Sequence, residues 1–213
     1  MPVTRLVAVD GRHPDPRVLE QAAACLQAGE LVAFPTDTVY GLGCDAASGA
    51  ALAALYRAKQ RPRTMPLIIL LARAGQMAAY ARGVPPLAEA AAGRFWPGPL
   101  TIIVPASARV PLKVTGNTGR LALRQSRSTI ANRLIAVLNQ PLISTSANIS
   151  SHPTCRSGID VFGQMDGRVD LVLDGGACAG QGATTIDITD PAWRLIKTGA
   201  IDEKEIADCL QPS

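Results

Sequence analysis

Histidine is nearly missing from this chain, and so are other devices on which much enzyme chemistry leans. His13 and His152 are its only two histidines. A cage of imidazole ligands or a histidine general base therefore has no residues to draw on, and catalysis must rest on other groups. No Gly-x-Ser-x-Gly elbow occurs, and a Ser-His-Asp triad would have to recruit a histidine from a loop without a supporting motif. The five cysteines, Cys25, Cys44, Cys155, Cys178 and Cys209, are widely spaced and form no Cys-x-x-Cys pair. That excludes a locally encoded disulfide framework or zinc site and fits a reducing, cytoplasmic setting. No stretch reaches the roughly 20 apolar residues of a membrane-spanning helix, and the apolar run within residues 1–10 is too brief for a signal peptide. Dense basic runs are lacking too. The net charge of +4 is scattered along the chain, which points to small anions such as phosphates more than to a long duplex.

What is present suits one core. With 213 residues, 47% of them hydrophobic and 18% charged, a single α/β domain over 1–213 is expected, with no repeat, linker or low-complexity tract. Asp15 and Pro16 open an amphipathic helix that Gly29 stops, and Ser48 caps a second helix that runs to Ala58. Further helices are predicted at 75–81, 86–95, 129–138, 159–164 and 202–210. Strands are predicted at 31–34, 67–71, 100–104, 121–124, 142–145, 171–173, 184–188 and 194–197. This alternation predicts a twisted mixed sheet with flanking helices.

Four polar clusters follow apolar elements, where ligands of α/β sheets gather: 36–40, 59–63, 144–148 and 194–197. Lys59 and Arg61 can aim a point charge and a planar fork at one polyphosphate, although Lys-x-Arg after a helix also suits simple solvation of the helix end. Ser144, Thr145, Ser146 and Asn148 offer three hydroxyls and an amide to a ribose, phosphate or carboxylate, or else form an ordinary strand-end turn. Gly41-Leu42-Gly43-Cys44-Asp45-Ala46 matches a dinucleotide fingerprint weakly. Residues 36–40 separate it from the strand, and Arg61 stands where a ribose-binding acid belongs. These glycines are instead expected to let a helix pack closely on the sheet.

Taken in order, Phe34-Pro35-Thr36-Asp37-Thr38-Val39-Tyr40-Gly41-Leu42-Gly43, Lys59-Gln60-Arg61-Pro62, Trp96-Pro97-Gly98-Pro99-Leu100-Thr101 and Ser144-Thr145-Ser146-Ala147-Asn148 resemble the YrdC-type threonylcarbamoyl-AMP synthase family. The resemblance implies an α/β fold around a concave basic cleft, here in its short, single-domain form without the extra C-terminal domain of longer relatives. It also implies a nucleotidyltransferase that turns ATP, L-threonine and bicarbonate into threonylcarbamoyl-adenylate and pyrophosphate. Mg²⁺ would accompany ATP, and the product would pass to the tRNA threonylcarbamoyl transferase complex with at most weak tRNA contact and no membrane. Lys59 and Arg61 resemble the family's phosphate-gripping, catalytic pair, and Ser146 and Asn148 its nucleotide-holding pair. Thr154 and Lys197 fall where the family contacts ATP; Thr38, Arg124 and Ser144 fall where it contacts threonine, with Tyr40 lining the same pocket. Arg124 is expected to pair with the threonine carboxylate. Alanine at 59 or 61 is expected to cut turnover with the fold intact.

The pattern departs from the family at five places. Leu70 stands for a frequent histidine, Ala183 for serine, Lys197 for arginine, Gln125-Ser126 for x-Pro, and Ser151 for glycine. These leave the phosphate grip untouched and bear on which amine substrate is accepted. An RNA-binding relative without adenylation is the alternative. A carbamoyl-adenylating domain of hydrogenase maturation factors is a third reading, without that family's zinc-finger and acylphosphatase segments.

Overall fold

The computed structural model describes residues 3–211. Ten strands form one mixed sheet in the order β1-β8-β2-β3-β7-β4-β6-β5-β9-β10. They are β1 (Arg5–Ala8), β2 (Val32–Pro35), β3 (Tyr40–Asp45), β4 (Ile68–Leu70), β5 (Leu100–Pro105), β6 (Arg120–Arg124), β7 (Leu142–Ser146), β8 (Leu171–Asp174), β9 (Thr184–Asp187) and β10 (Arg194–Lys197). The helices are α1 (Pro16–Gln27), α2 (Gly49–Ala58), α3 (Met77–Tyr80), α4 (Pro86–Phe95), α5 (Thr129–Leu138), α6 (Gly158–Met165) and α7 (Glu203–Leu210). The expected mixed α/β sheet is thus present.

Helix starts follow local chemistry. The Asp15 carboxylate accepts from the Arg17 amide at 2.9 Å, with Pro16 in the first turn. Ser48 and Ser128 cap α2 and α5 by accepting from the amides three residues on. Each hydroxyl or carboxylate satisfies an amide that has no carbonyl within the helix. The apolar stripes of α1 (Leu19, Ala22, Ala23, Leu26) and α5 (Ile130, Leu134, Ile135, Leu138) pack together over Val32, Phe34, Leu70 and Leu142 of the sheet. A second and larger cluster, with Ala33, Leu42, Ile69, Ile143 and helix α2, fills the other face. Neighbouring residues of a strand, such as Leu70 and Ile69, belong to opposite clusters, as the two-residue period of a strand demands.

Three elements differ from the sequence expectation. Residues 5–8 form a short parallel edge strand against β8, and the glycine segment 40–45 is strand β3, paired antiparallel with β2 and β7. The glycines at 41 and 43 therefore do not seat a helix. A Cβ at Gly43 would lie 2.8 Å from the Phe34 ring, and one at Gly41 would lie 3.0 Å from the Ser144 hydroxyl. Glycine there lets the ring lie across β3 and keeps the strand's surface bare beside Ser144 and Ser146. The predicted helix at 75–81 is a 3₁₀ turn, Ala74–Gln76, followed by the single turn α3.

Candidate active site

The face covered by α1 and α5 becomes a cleft where that cover ends. Along β7, Leu142 lies beneath the helices, while Ser144 and Ser146, two and four residues on, share its face and line the cleft. Leu70 and Ile68 of β4 follow the same rule, and Leu70 pairs with Arg124 of β6. On the far side Thr101 pairs with Thr185. The cleft spans about 880 Å³ with its solvent-open part, within the size range of small-molecule sites. Thr38, Tyr40, Arg61, Arg124, Ser144, Ser146, Thr154 and Lys197 all line it. Lys59 and Asn148 do not; they are packed behind its wall.

Lys59 is 1% exposed. Its ammonium donates to the carbonyls of Ser146 at 2.5 Å and Asn148 at 2.7 Å, and to Asn148 Oδ1 at 3.3 Å. The Asn148 amide group donates in turn to the carbonyls of Ile149 and His152. Lysine and asparagine thus clamp the turn that follows β7 and set the position of Ser146. Burial, followed by repulsion from Arg61, pushes the Lys59 ammonium down to about 7. Helix α2 delivers the pair. Gln60 adopts the left-handed conformation (φ 52°), the Arg61 amide reaches the Tyr56 carbonyl, and the Gln60 amide reaches that of Arg57. This is a Schellman ending, which reverses the chain and sends Arg61 back to the cleft. Arg61 donates to the Pro66 carbonyl at 3.0 Å, while its Nε is buried with no partner among the described residues.

Arg124 is 6% exposed and is held on three sides. Its Nε donates to the Gly98 carbonyl at 3.1 Å, Nη1 to Thr38 Oγ1 at 3.0 Å and Nη2 to Asp37 Oδ1 at 2.6 Å. Thr36 gives its own hydrogen to the Val39 carbonyl, so the 2.9 Å contact between the two hydroxyls runs from Thr38 to Thr36. Thr38 is thereby fixed as an acceptor toward the guanidinium. The Tyr40 ring points away from the ligand space: its hydroxyl donates toward Asp174 and the Gly176 carbonyl and accepts from the Gly175 amide. Burial first, then Asp174, raises its pKa.

The lining cations are Arg61, Arg124 and Lys197, and among the described residues no carboxylate lines the cleft. Ser144 and Ser146 direct hydroxyls that have no protein partner among the described residues. Among those residues no group of three or more His, Cys, Asp or Glu is assembled to hold a metal, and no helix is long and apolar enough to cross a membrane. Thr101, Asp37 and Ser126 stand in the quoted motifs or among the departures from the family, but the sequence assigned none of them a place in the site. Thr101 is 1% exposed and its hydroxyl is unpartnered. The signal was a lone hydroxyl inside the apolar run Leu100-Thr101-Ile102-Ile103-Val104. Asp37 and Ser126 are 89 positions apart, and nothing local announces their contact.

A family model for the Sua5, YciO and YrdC proteins, described as telomere recombination, matches residues 24–199. A threonylcarbamoyl-AMP synthase of Pyrococcus abyssi is 40% identical over 186 residues, covering 87% of this chain and 55% of the relative. One from Bacillus subtilis is 35% identical over 200 residues, covering 93% and 58%. The solved structure of P. abyssi Sua5 complexed with L-threonine superposes with a TM-score of 0.92 at 36% identity, over 98% of this chain and 61% of its own. The chain spans little more than half the length of these curated relatives.

Proposed function

Because the chain belongs to the Sua5, YciO and YrdC family, we propose that it is a nucleotidyltransferase that converts L-threonine, bicarbonate and ATP to threonylcarbamoyl-adenylate and pyrophosphate, the first step of tRNA threonylcarbamoyladenosine modification. The observation that carries this reading is a cleft lined by three cations and several hydroxyls, Ser144 and Ser146 among them, with no carboxylate among the described residues. It suits a triphosphate beside an amino acid. The threonine amine takes up bicarbonate with loss of water, and a carbamate oxygen then attacks the α-phosphorus as pyrophosphate departs. Such a step needs positioning and charge neutralisation more than a protein nucleophile, so the scarcity of histidine is no obstacle.

Arg61 and Lys197 face the phosphates in this reading, with Ser146 and Thr154 on the nucleotide. Lys59 and Asn148 act from behind, holding the turn that presents Ser146, with the Lys59 charge set beneath it. Thr38, Arg124 and Ser144 take the amino acid, and Tyr40 braces the wall. Mg²⁺ would enter with ATP as part of the substrate, where it would neutralise phosphate charge. Five free cysteines accord with a cytoplasmic setting; the labile product would pass to the tRNA threonylcarbamoyl transferase complex, with at most weak tRNA contact by this chain.

Incubation with ATP, Mg²⁺, threonine and labelled bicarbonate should give a labelled adenylate and threonine-dependent pyrophosphate. Neither product appearing from folded protein rejects the reading.

A further inference from the structure

Arg124 raises a question that its own bonds do not answer. A guanidinium has five N–H groups, and three are committed here, one on each nitrogen. Five less three leaves two, one on each terminal nitrogen, and these are the donors an incoming carboxylate needs for a two-point grip. Asp37 competes for them. Its Oδ1 already touches Nη2, and its Oδ2 is buried with no partner among the described residues. An unpartnered buried carboxylate oxygen beside a guanidinium should swing into the paired fork, taking a free N–H and closing the site.

Ser126 stands in the way of that rotation. It is fully buried, and the amides of Ser128 and Asp37 donate to its oxygen at 3.1 and 3.5 Å. Its single hydrogen therefore goes to Asp37 Oδ1, at 2.5 Å. We propose that Ser126 is a positioning residue for amino-acid recognition: it pins Asp37 in a one-oxygen contact with Arg124, so that the guanidinium keeps a free N–H on each terminal nitrogen for the carboxylate of an α-amino acid. This rests on the reading of the cleft given above and deepens it. Ser126 matters here only through Asp37, and that separates the idea from a role in packing.

The test is a double-mutant cycle read by calorimetry with L-threonine, L-threoninamide and ATP as ligands. Wild type should prefer threonine to its carboxamide. Ser126→Ala should weaken threonine about ten- to a hundredfold, the loss of one charge-assisted bond, while leaving threoninamide and ATP unchanged. In an Asp37→Asn background, where the side chain lacks the charge to claim the guanidinium, Ser126→Ala should have no effect on threonine. Equal weakening of threonine and threoninamide, or the same loss in both backgrounds, overturns the proposal. Should Ser126→Ala not fold, Asp37→Asn alone decides, because a loss of threonine affinity there contradicts a competing carboxylate. Wild-type protein that binds neither threonine nor ATP instead rejects the functional reading beneath it.

Discussion

A lysine enclosed as fully as Lys59 is uncommon unless its charge is answered. Here the answer comes from three oxygens of the turn after β7, so the residue ties the wall together and, below about pH 7, also charges it. Its neighbour Arg61 has an unpartnered Nε and a place on the cleft, so the two should respond differently to substitution. Lys59→Met, close in volume but without donors, leaves the buried Asn148 carbonyl unanswered, while the Ser146 carbonyl keeps the Asn148 amide, and should lower stability by about 1–3 kcal/mol. Arg61→Ala should leave thermal unfolding nearly unchanged and cut adenylate formation tenfold or more, the loss of a charge-assisted phosphate contact. The expectation that both variants keep the fold intact is therefore revised for Lys59. Equal unfolding midpoints for Lys59→Met and wild type, with wild-type turnover in Arg61→Ala, would remove both roles. The sequence displayed the residue types and their two-residue spacing. Which of the pair faces the ligand depended on Asn148, 89 positions away, and was not legible.

Among the elements, the ending of α2 decides where both cations go. Gln60 sits at φ 52°, a left-handed position that glycine fills without strain and that other residues fill at a penalty of about 1 kcal/mol or somewhat more. Gln60→Gly should keep the Schellman bonds and leave stability within about 1 kcal/mol of wild type, since relief of strain opposes the greater freedom of the unfolded chain. Gln60→Val, branched at Cβ, should lose about 1–2 kcal/mol and weaken ATP binding together with stability, because the reversal that aims Arg61 is broken. Chemical denaturation and nucleotide titration of both variants check this; a valine variant as stable and as tight as wild type contradicts it. Helix boundaries were largely readable because caps and apolar stripes are local signals, as at Asp15, Ser48 and Ser128. Strand β3 was not. Its Gly-x-Gly run lacks the branched residues that mark strands, and its partners Phe34 and Ser144 are what give the glycines their purpose.

Across the whole molecule, buried titrating groups set opposing trends of stability with pH. Lys59 releases its proton near 10.5 in the unfolded chain and at about 7 in the folded one. Between those values the unfolded chain holds a proton that the folded chain has lost, so the free energy of unfolding rises with pH across this window. Cys44 and Cys155 have the reverse sign. Burial lifts their thiols from 9.0 to about 12 and about 11, so above pH 9 the folded chain keeps protons that the unfolded chain gives up, and stability falls. The thermal midpoint should therefore climb from pH 7 to about 9 and then turn down. Lys59→Met should abolish the climb and retain the descent, whereas Cys44→Ala should soften the descent alone. A wild-type midpoint that stays flat between pH 7 and 9, matching the slope of Lys59→Met, would mean that the three oxygens hold the ammonium protonated throughout and that its charge beneath Ser146 is permanent.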